Sequence, residues 1–431
     1  MPRLIWVVAF GVCLLGCPGS KPKSLPEAQH ASEAERPPLR IRVTGNNELV
    51  ESIVRRWKSI SDQPLDLQSV DSEKLLASES IKADVLIFES RCLPTLVERR
   101  WISKLPKLVL DTHSSESSNS DGNTHWPLVW RQSATYGQCL WGIPLGVPMM
   151  VIVESSEEKS PPLTTWAERI SARKSKAAKT LSTDNLVATS DSLLLDRFLI
   201  IAASMNPKPS ETGFLFNINS ARSRLSEPWL GNAATVFAEL YSDQLNLASV
   251  QPDLAWELVA KKQADWALAW PSSRGESSST VQSPKSWVDS GSGLIVSLTT
   301  MNRQSSASIR FINWLNEDSQ RQEFSSHTAG IQPLPERWNV SGERIDVNRY
   351  REMMKRAFDD RFVVHELRFA ESFSYRQSLI EALKRILKDP ATAEVELQKC
   401  AAAWDKTTAT NTREIQKRRF ALTLDLEAYR D

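Results

Sequence analysis

The chain has 431 residues, with 53 lysines and arginines against 52 aspartates and glutamates, so its formal net charge is +1. This balance argues against a nucleic-acid-binding protein, which normally shows a basic surplus or a basic stripe. The length predicts two domains, or two lobes of one unit, and a hydrophobic fraction of 41% is enough for a sizeable core. The 15 glycines are few, which disfavours phosphate-binding loops, whereas the 15 tryptophans are many and suit either core packing or ligand stacking.

The first residues have the pattern of an export signal. Arg3 precedes an apolar run from Leu4 to Gly16, which is too short to span a membrane as a helix. The run ends in Leu-Leu-Gly followed by Cys17, and this ending resembles the bacterial lipoprotein signal, in which cleavage leaves a lipid-modified N-terminal cysteine. We therefore expect a lipoprotein signal peptide at 1–16 and lipidation of Cys17. The alternative is an ordinary secretory signal with a chance cysteine.

The segment that follows is polar and rich in proline. Residues 17–38 lack periodicity and are predicted to be a disordered tether between the membrane and the folded body. Cys92, Cys139 and Cys400 remain beyond it, and their spacing matches neither a zinc site nor a CxxC motif. We interpret them as small buried hydrophobic residues, with a Cys92–Cys139 disulfide as the less favoured alternative.

The folded part begins with strands that alternate with helices. Residues 39–43 alternate apolar and polar side chains like a strand, and apolar residues at a spacing of four predict a helix over 49–57. A second strand is predicted at 64–70, and an apolar strand at 83–88 ends in the polar tripeptide 89–91. Strands and helices in this order indicate an α/β fold with a parallel sheet.

The remainder of the chain continues the α/β pattern and closes with helices. Further strands are predicted in the second half of 136–153, at 265–270 and at 293–298, and helices at 192–205, 231–246, 306–324, 377–388 and 392–406.

The order of the segments resembles a known family, although each segment alone is weak. The segments that carry the resemblance are the Cys17 signal, the strand–loop–helix at 39–58, the strand 83–88 with its polar ending, the crossing-like segments 141–153, 290–297 and 330–333, the small-residue strand 262–271, and the closing helices around 378–383 and 401–404. In this order they resemble the bacterial extracellular solute-binding proteins of family 1, the sugar-type substrate-binding lipoproteins of ABC importers.

The resemblance implies an α/β fold of the periplasmic-binding-protein type, with two lobes, hinge crossings between them and a helical C-terminal region. It places lobe 1 at 39–148 and 293–332, and lobe 2 at 149–292 and 333–431. It implies a monomeric, membrane-tethered extracytoplasmic protein that delivers a small solute, most often a carbohydrate, to ABC permease subunits and their ATPase. No bond is broken in that function, so neither an enzyme activity, a catalytic residue nor a cofactor is expected.

Polar residues that follow two predicted strands are candidate ligand-binding residues. Asn46 and Asn47 follow the first strand, where the family often places ligand-facing loops, although both can also cap a helix. Glu89, Ser90 and Arg91 follow an apolar strand at its carboxyl end. The alternative for the two charged residues is a surface ion pair worth about 0–1 kcal/mol.

Two tryptophans are candidates for stacking on the face of a sugar. Trp270 leaves an apolar strand directly into a proline, which favours a ring that points off the sheet edge, and Trp229 precedes a helix. The alternative for both is core packing. Trp57, Trp314 and Trp404 fall on apolar helical faces and are predicted to belong to the core.

Other kinds of site find little support. The five histidines share no metal spacing, His365-Glu366 lacks the second histidine of a zinc protease, and Gly291-Ser292-Gly293 is not a GxSxG nucleophile motif. Two rival functions stay open. One is the binding of a charged solute such as a polyamine, disfavoured by the balanced charge and the lack of an acidic cluster in the sequence. The other is a degenerate binding-fold lipoprotein that acts as a sensor or an interaction module.

Overall fold

The computed structural model describes residues 36–45, 47–106, 126–155, 165–175, 191–206, 213–241, 248–271, 279–325, 328, 330–332, 345–358, 363–365, 367–410 and 412–424. Its contacts divide the chain into two units, Met1–Pro37 and Pro38–Asp431, and every element below belongs to the second unit. The predicted signal peptide, Cys17, most of the tether and Asn46 lie outside the described residues. Among the helices within these ranges, none combines the length and the apolar character needed to cross a membrane.

The described ranges contain strands and helices that alternate through most of the chain. The strands are β1 (Leu39–Thr44), β2 (Leu65–Val70), β3 (Val85–Glu89), β4 (Thr135–Tyr136), β5 (Cys139–Leu140), β6 (Ile143–Pro144), β7 (Val151–Ser155), β8 (Trp266–Ala269), β9 (Ser279–Gln282), β10 (Val288–Asp289), β11 (Leu294–Leu298) and β12 (Val364–His365). The helices are α1 (Asn47–Lys58), α2 (Ser72–Ala77), α3 (Leu93–Glu98), α4 (Leu128–Ala134), α5 (Trp166–Ser175), α6 (Asp191–Met205), α7 (Pro228–Tyr241), α8 (Pro252–Ala260), α9 (Ser305–Leu315), α10 (Asp318–Phe324), α11 (Ile345–Phe358), α12 (Ser372–Lys388), α13 (Ala393–Thr410) and α14 (Arg413–Leu424).

A five-stranded sheet with the order β2-β1-β3-β11-β6 forms the centre of the N-terminal part. β1 pairs in parallel with both β2 and β3, whereas β11, from much later in the chain, pairs antiparallel with β3 and β6. β3 and β11 are buried on both faces, as their apolar runs require. The carboxyl ends of the three parallel strands therefore lie together at one edge of the sheet.

A second sheet has the order β8-β7-β9, and all its pairs are antiparallel. Its strands β7 and β8 are buried along most of their length. Helices α6, α7, α12 and α13 pack against one another beside this region. The strands predicted within 136–153 and 265–270 are thus confirmed, and so is the α/β fold with its helical C-terminal region.

Three segments run side by side where the chain passes between the two sheets. Leu145 donates its backbone N–H to Leu294 at 2.7 Å and accepts one from Gln332 at 2.7 Å, while Leu294 donates to Gly330 at 3.1 Å. A Cβ atom on Gly293 would lie 2.3 Å from the backbone oxygen of Gly146, so only glycine permits this close approach. These are the segments that the resemblance noted in the sequence analysis placed as hinge crossings, whereas the lobe boundaries themselves stay a prediction.

Two predicted helices differ from the observed ones at their ends. The helix predicted at 306–324 is divided into α9 and α10, because Asn316 ends the first helix and the acidic Glu317-Asp318 begins the second. The helix predicted at 231–246 is observed as α7, and residues 242–247 lie outside the described part of the chain. The closing helices are longer than predicted but lie where the sequence places them.

The cysteines behave as small hydrophobic residues. Cys92 and Cys400 are buried, Cys139 is half-buried, and all three are thiols, so the alternative Cys92–Cys139 disulfide is not formed. Burial raises the pKa of the Cys92 thiol to about 12, helped by the neighbouring Glu89 carboxylate. This thiol therefore stays protonated and is a poor nucleophile at neutral pH.

Candidate ligand-binding cleft

A cleft of about 800 Å³ lies at the edge of the first sheet where the parallel strands end. Thr44, Asp71 and Glu89, which end or follow β1, β2 and β3, line one part of it. The N-terminal half of α6 and the first turns of α12 line another part. Open α/β sheets bind ligands at the carboxyl ends of their strands, and known small-molecule sites have volumes of about 300–1,000 Å³.

The carboxyl end of β3 presents an ion pair to the cleft. Arg91 donates from Nη2 to Oε1 of Glu89 at 2.7 Å and from Nε to Oε2 at 3.0 Å. The Ser72 hydroxyl donates to the same Oε2 at 2.8 Å. The side chains of Arg91 and Glu89 keep only 12% and 21% of their surface exposed. The two residues do form an ion pair, but it is largely buried and lines the cleft, so it is not the surface ion pair of the alternative.

A second pair of opposite charges comes from α6 and α12. Oδ1 of Asp196 lies 3.8 Å from Nη2 of Arg376, which is too long for a hydrogen bond. Among the described residues, neither carboxylate oxygen of Asp196 has a hydrogen-bond partner, and the same is true of Nη1 of Arg91. Asp196 is fully buried and lines the cleft, so its two carboxylate oxygens are acceptors that the described side chains and backbone leave without a hydrogen bond.

The charged side chains of the cleft change one another's pKa values. Burial alone would raise the pKa of the Glu89 carboxyl, but Arg91 outweighs it and holds that pKa below its ordinary value. For Asp196 burial prevails over the attraction of Arg91 and Arg376, so its pKa is raised. Burial, together with repulsion from Arg91, lowers the pKa of Arg376. The charged form of Asp196 is thus disfavoured by its burial, in spite of the two neighbouring guanidinium groups.

Two aromatic side chains, Trp270 and Phe373, are among the lining residues of the cleft. Trp270 follows β8 and lines it with 9% of its surface exposed, and Phe373, at 38% exposure, lies at the start of α12. Among the described tryptophans, the most buried ones pack in the core, namely Trp57, Trp130, Trp256 and Trp404. The tryptophan surplus is thus mainly explained by packing, which weakens its use as an indication of sugar stacking.

The structure brings most, but not all, of the predicted site residues together. Asn47, Glu89, Arg91 and Trp270 line the same cleft.

Two candidates need correction. Ser90 is fully buried behind the cleft wall and is not among its lining residues, because the backbone turns into a 3₁₀ segment after Glu89. Trp229 also lies outside the cleft lining: its ring packs against Phe214 and Arg224, and its Nε1 donates to Glu227 at 2.7 Å. Trp229 is therefore a packing residue.

Residues that sequence reasoning missed come mainly from helices. Asp196 sits in the apolar run Leu193-Leu194-Leu195, and a lone acid beside Arg197 in such a run is a signal that could have identified it. Arg197 itself is structural, since it donates to the backbone oxygens of Ala248 at 2.6 Å and Val250 at 2.8 Å.

Arg376 carried no comparable signal. It lies on α12 in a sequence of mixed polarity, and only the tertiary packing of α12 against α6 brings it to the cleft.

His365 is not among the residues that line the cleft, and it connects the short strands β10 and β12. Its Nδ1 lies 3.2 Å from Oδ2 of Asp289 and its Nε2 lies 3.1 Å from Oε1 of Gln132. Within the described ranges, no group of three or more histidine, cysteine or acidic side chains is arranged to hold a metal ion. We interpret His365 as a structural link between β10 and β12.

The comparisons with known proteins rest on structure. No protein-family model matches the chain, and no curated protein sequence matches it. Maltose-bound MalE3 of T. maritima has a similar structure, with a TM-score of 0.63, 12% sequence identity and coverage of 86% of this chain and 100% of that one. The chain has the fold of the sugar-type solute-binding proteins.

Two further solved structures share this fold. An ABC transporter solute-binding protein from Agrobacterium radiobacter K84, in complex with ribitol, has a TM-score of 0.66, 14% identity and coverage of 86% of this chain and 98% of that one. An ABC substrate-binding protein from Listeria monocytogenes, in complex with cycloalternan, has a TM-score of 0.62, 11% identity and coverage of 86% and 98%. In each comparison the similarity covers 86% of this chain, and the predicted two-lobed fold is confirmed.

Proposed function

We propose that this protein is a lipid-anchored, extracytoplasmic solute-binding protein that captures a carbohydrate and delivers it to an ABC importer. The observation that carries the proposal is the polar cleft at the carboxyl ends of β1, β2 and β3, on a fold shared with proteins whose structures hold maltose, ribitol and cycloalternan. Charged and polar side chains around it suit the hydroxyl groups of a saccharide, and Trp270 offers one apolar face.

The mechanism needs no chemical step. The closely packed crossing segments around Leu145, Leu294 and Gln332 act as the hinge between the proposed lobes, 39–148 with 293–332 and 149–292 with 333–431. A solute that contacts both walls of the cleft stabilises the closed form, and a pair of permease subunits with their ATPase recognises that form. The protein acts as a monomer and is not an enzyme.

A thermal-shift screen of the full chain against neutral sugars, polyols, amino sugars, amino acids and polyamines tests the proposed function. A saccharide at about 100 times its dissociation constant should stabilise the protein by about 2.7 kcal/mol, and so raise its melting temperature by a few degrees. Trp270→Ala should abolish this increase, whereas the matched Trp229→Ala, outside the cleft, should retain it. Cooperative melting with no response to any solute would favour the alternative of a degenerate binding fold that acts as a sensor or an interaction module.

The lipid anchor has its own test. In bacteria that produce the full chain, the protein should sediment with membranes, and Cys17→Ser should move it to the soluble fraction because the lipid is attached through the thiol. Cys139→Ser, a half-buried cysteine of the folded body, serves as the matched control and should leave the protein with the membranes. Wild-type protein in the soluble fraction, or a Cys17→Ser variant that remains with membranes, would contradict the anchor.

A further inference from the structure

The charge of the cleft differs from the charge of the chain. Acidic side chains line it from both sides: Glu48, Asp71 and Glu73 from the first sheet and its helices, and Asp191 and Asp253 from α6 and α8. With Glu89 and Asp196, described above, seven carboxylates face two guanidinium groups. The chain as a whole is nearly neutral, so the acidic excess is a local property of the cleft.

Two of these acids show how differently the carboxylates of the cleft are engaged. Asp191 forms an ion pair with Nζ of Lys384 at 2.7 Å. Asp71 accepts hydrogen bonds from the backbone N–H groups of Glu73 and Lys74 and so caps α2, which leaves its charge in place. A cleft lined by one sign of charge concentrates solutes of the opposite sign.

The strongest indication of the chemistry of the ligand comes from a buried carboxylate that lines the cleft. Asp196 is fully buried, and its two oxygens accept no hydrogen bond from the described residues, although Arg376 lies 3.8 Å away. A buried carboxylate without hydrogen bonds is costly, and a ligand that donates hydrogen bonds to it recovers that cost. Beside it, Nη1 of Arg91 is a donor without a partner, which suits an acceptor such as a hydroxyl oxygen.

We propose that the solute of this cleft is a saccharide that carries protonated amino groups, with one ammonium group donating to Asp196 and a neighbouring hydroxyl accepting from Arg91. The inference rests on the proposed function and names the chemical class of its ligand. It corrects the expectation that the protein lacks an acidic cluster, because the acids gather only in the folded chain. The volume of about 800 Å³ suits an oligosaccharide, whereas a single amino acid would leave most of the cleft to water.

Matched pairs of ligands test this proposal. Glucosamine oligomers and kanamycin are amine-bearing saccharides, and their fully N-acetylated forms have the same sugar backbone without the positive charges. Isothermal titration of the full chain should give, for at least one pair, an affinity at least about tenfold higher for the amine form, the effect of one hydrogen bond to a charged group. Spermidine is included as an amine without a sugar.

Two variants test whether Asp196 causes the preference for the amine form. Asp196→Asn, which keeps the shape of the side chain, should remove the preference for the amine form, with cooperative melting as the check on folding. Asp66→Asn carries the same change of charge at the other end of β2 and should keep the preference.

The possible outcomes separate the inference from the proposed function. Equal or tighter binding of the acetylated or other neutral saccharides would overturn the inference and leave the proposed function standing. Binding of spermidine without any saccharide, or no binding at all by folded protein, would overturn both. A preference for the amine form that survives in Asp196→Asn would overturn the assigned contact.

Discussion

Replacing Trp404 by alanine is expected to lower the free energy of unfolding by about 3–5 kcal/mol. Trp404 is 1% exposed, and its ring stacks on Phe216 with the centroids 4.8 Å apart and the planes 9° from parallel. Its Nε1 donates to the hydroxyl of Ser378 at 2.6 Å and to the backbone oxygen of Tyr375 at 3.1 Å. The alanine variant loses the packing of the ring and leaves a cavity between α12 and α13.

Urea denaturation of the wild type and the variant measures this loss. Trp404→Phe is a useful second variant, because it keeps a ring on Phe216 but loses the two hydrogen bonds. Its free energy of unfolding should therefore fall by less than that of Trp404→Ala. A Trp404→Ala variant within about 1 kcal/mol of the wild type would contradict the core position of this side chain, since only exposed substitutions are normally so mild.

Replacing Asp84 by alanine is expected to cost about 3–5 kcal/mol, the range found when one partner of a buried ion pair is removed. Asp84 is fully buried just before β3, and Nε and Nη2 of Arg40 donate to it at 3.0 and 2.8 Å. The backbone N–H groups of Arg40 and Arg303 donate to it as well, at 3.0 and 2.8 Å. One carboxylate thus connects β1, the entry to β3 and the segment after β11, and the variant leaves these donors without their acceptor.

Arg42 and Asp66 provide the matched control on the same sheet. This pair is 3.2 Å apart, but Asp66 is 34% exposed, so Asp66→Ala should cost only about 0–1 kcal/mol. If urea denaturation gave similar decreases in the free energy of unfolding for Asp84→Ala and Asp66→Ala, the structural role of Asp84 would be contradicted.

The Asp84 pair also sets a dependence of stability on pH. Burial by itself would raise the pKa of the Asp84 carboxyl, but the hydrogen bonds from Arg40 and Arg303 outweigh it and hold the pKa below its ordinary value. Its contribution to stability is therefore complete above the unfolded-state pKa, near pH 4, and is lost as the pH falls further. Asp84→Asn should be less stable at neutral pH and should lose less stability than the wild type below pH 4.

The elements of the fold follow from local patterns in the sequence. The apolar run in β3 predicts a strand buried on both faces, and the spacing of Leu49, Ile53 and Trp57 predicts the buried face of α1, as observed. The break between α9 and α10 was missed because the preference of Asn316 for ending a helix is too weak to identify from one sequence.

The cleft was only half predictable. Polar residues at the carboxyl ends of strands, such as Glu89 and Arg91, could be placed because the sheet order implies a shared edge. Asp196 and Arg376 come from helices almost two hundred residues apart, and nothing local indicates that they face the same space. Trp229 was misassigned because a tryptophan before a helix suits a cleft and a packed corner equally well.

The acidic lining of the cleft could not be predicted from the sequence either. A net charge of +1 describes the whole chain and cannot reveal how charges are distributed after folding. Glu48, Asp71 and Asp253 are separated by long stretches of sequence, and helix starts place all three at one cleft.

The most direct measurement of the central claim is an isothermal titration of the full chain with the saccharide that gives the largest thermal shift. We expect one saturating site per chain, lost in Trp270→Ala and retained in Trp229→Ala. Binding that is unaffected by Trp270→Ala would place the ligand elsewhere than in the cleft. The absence of binding by any saccharide, from protein that melts cooperatively, would contradict the claim that this fold serves here to capture a sugar.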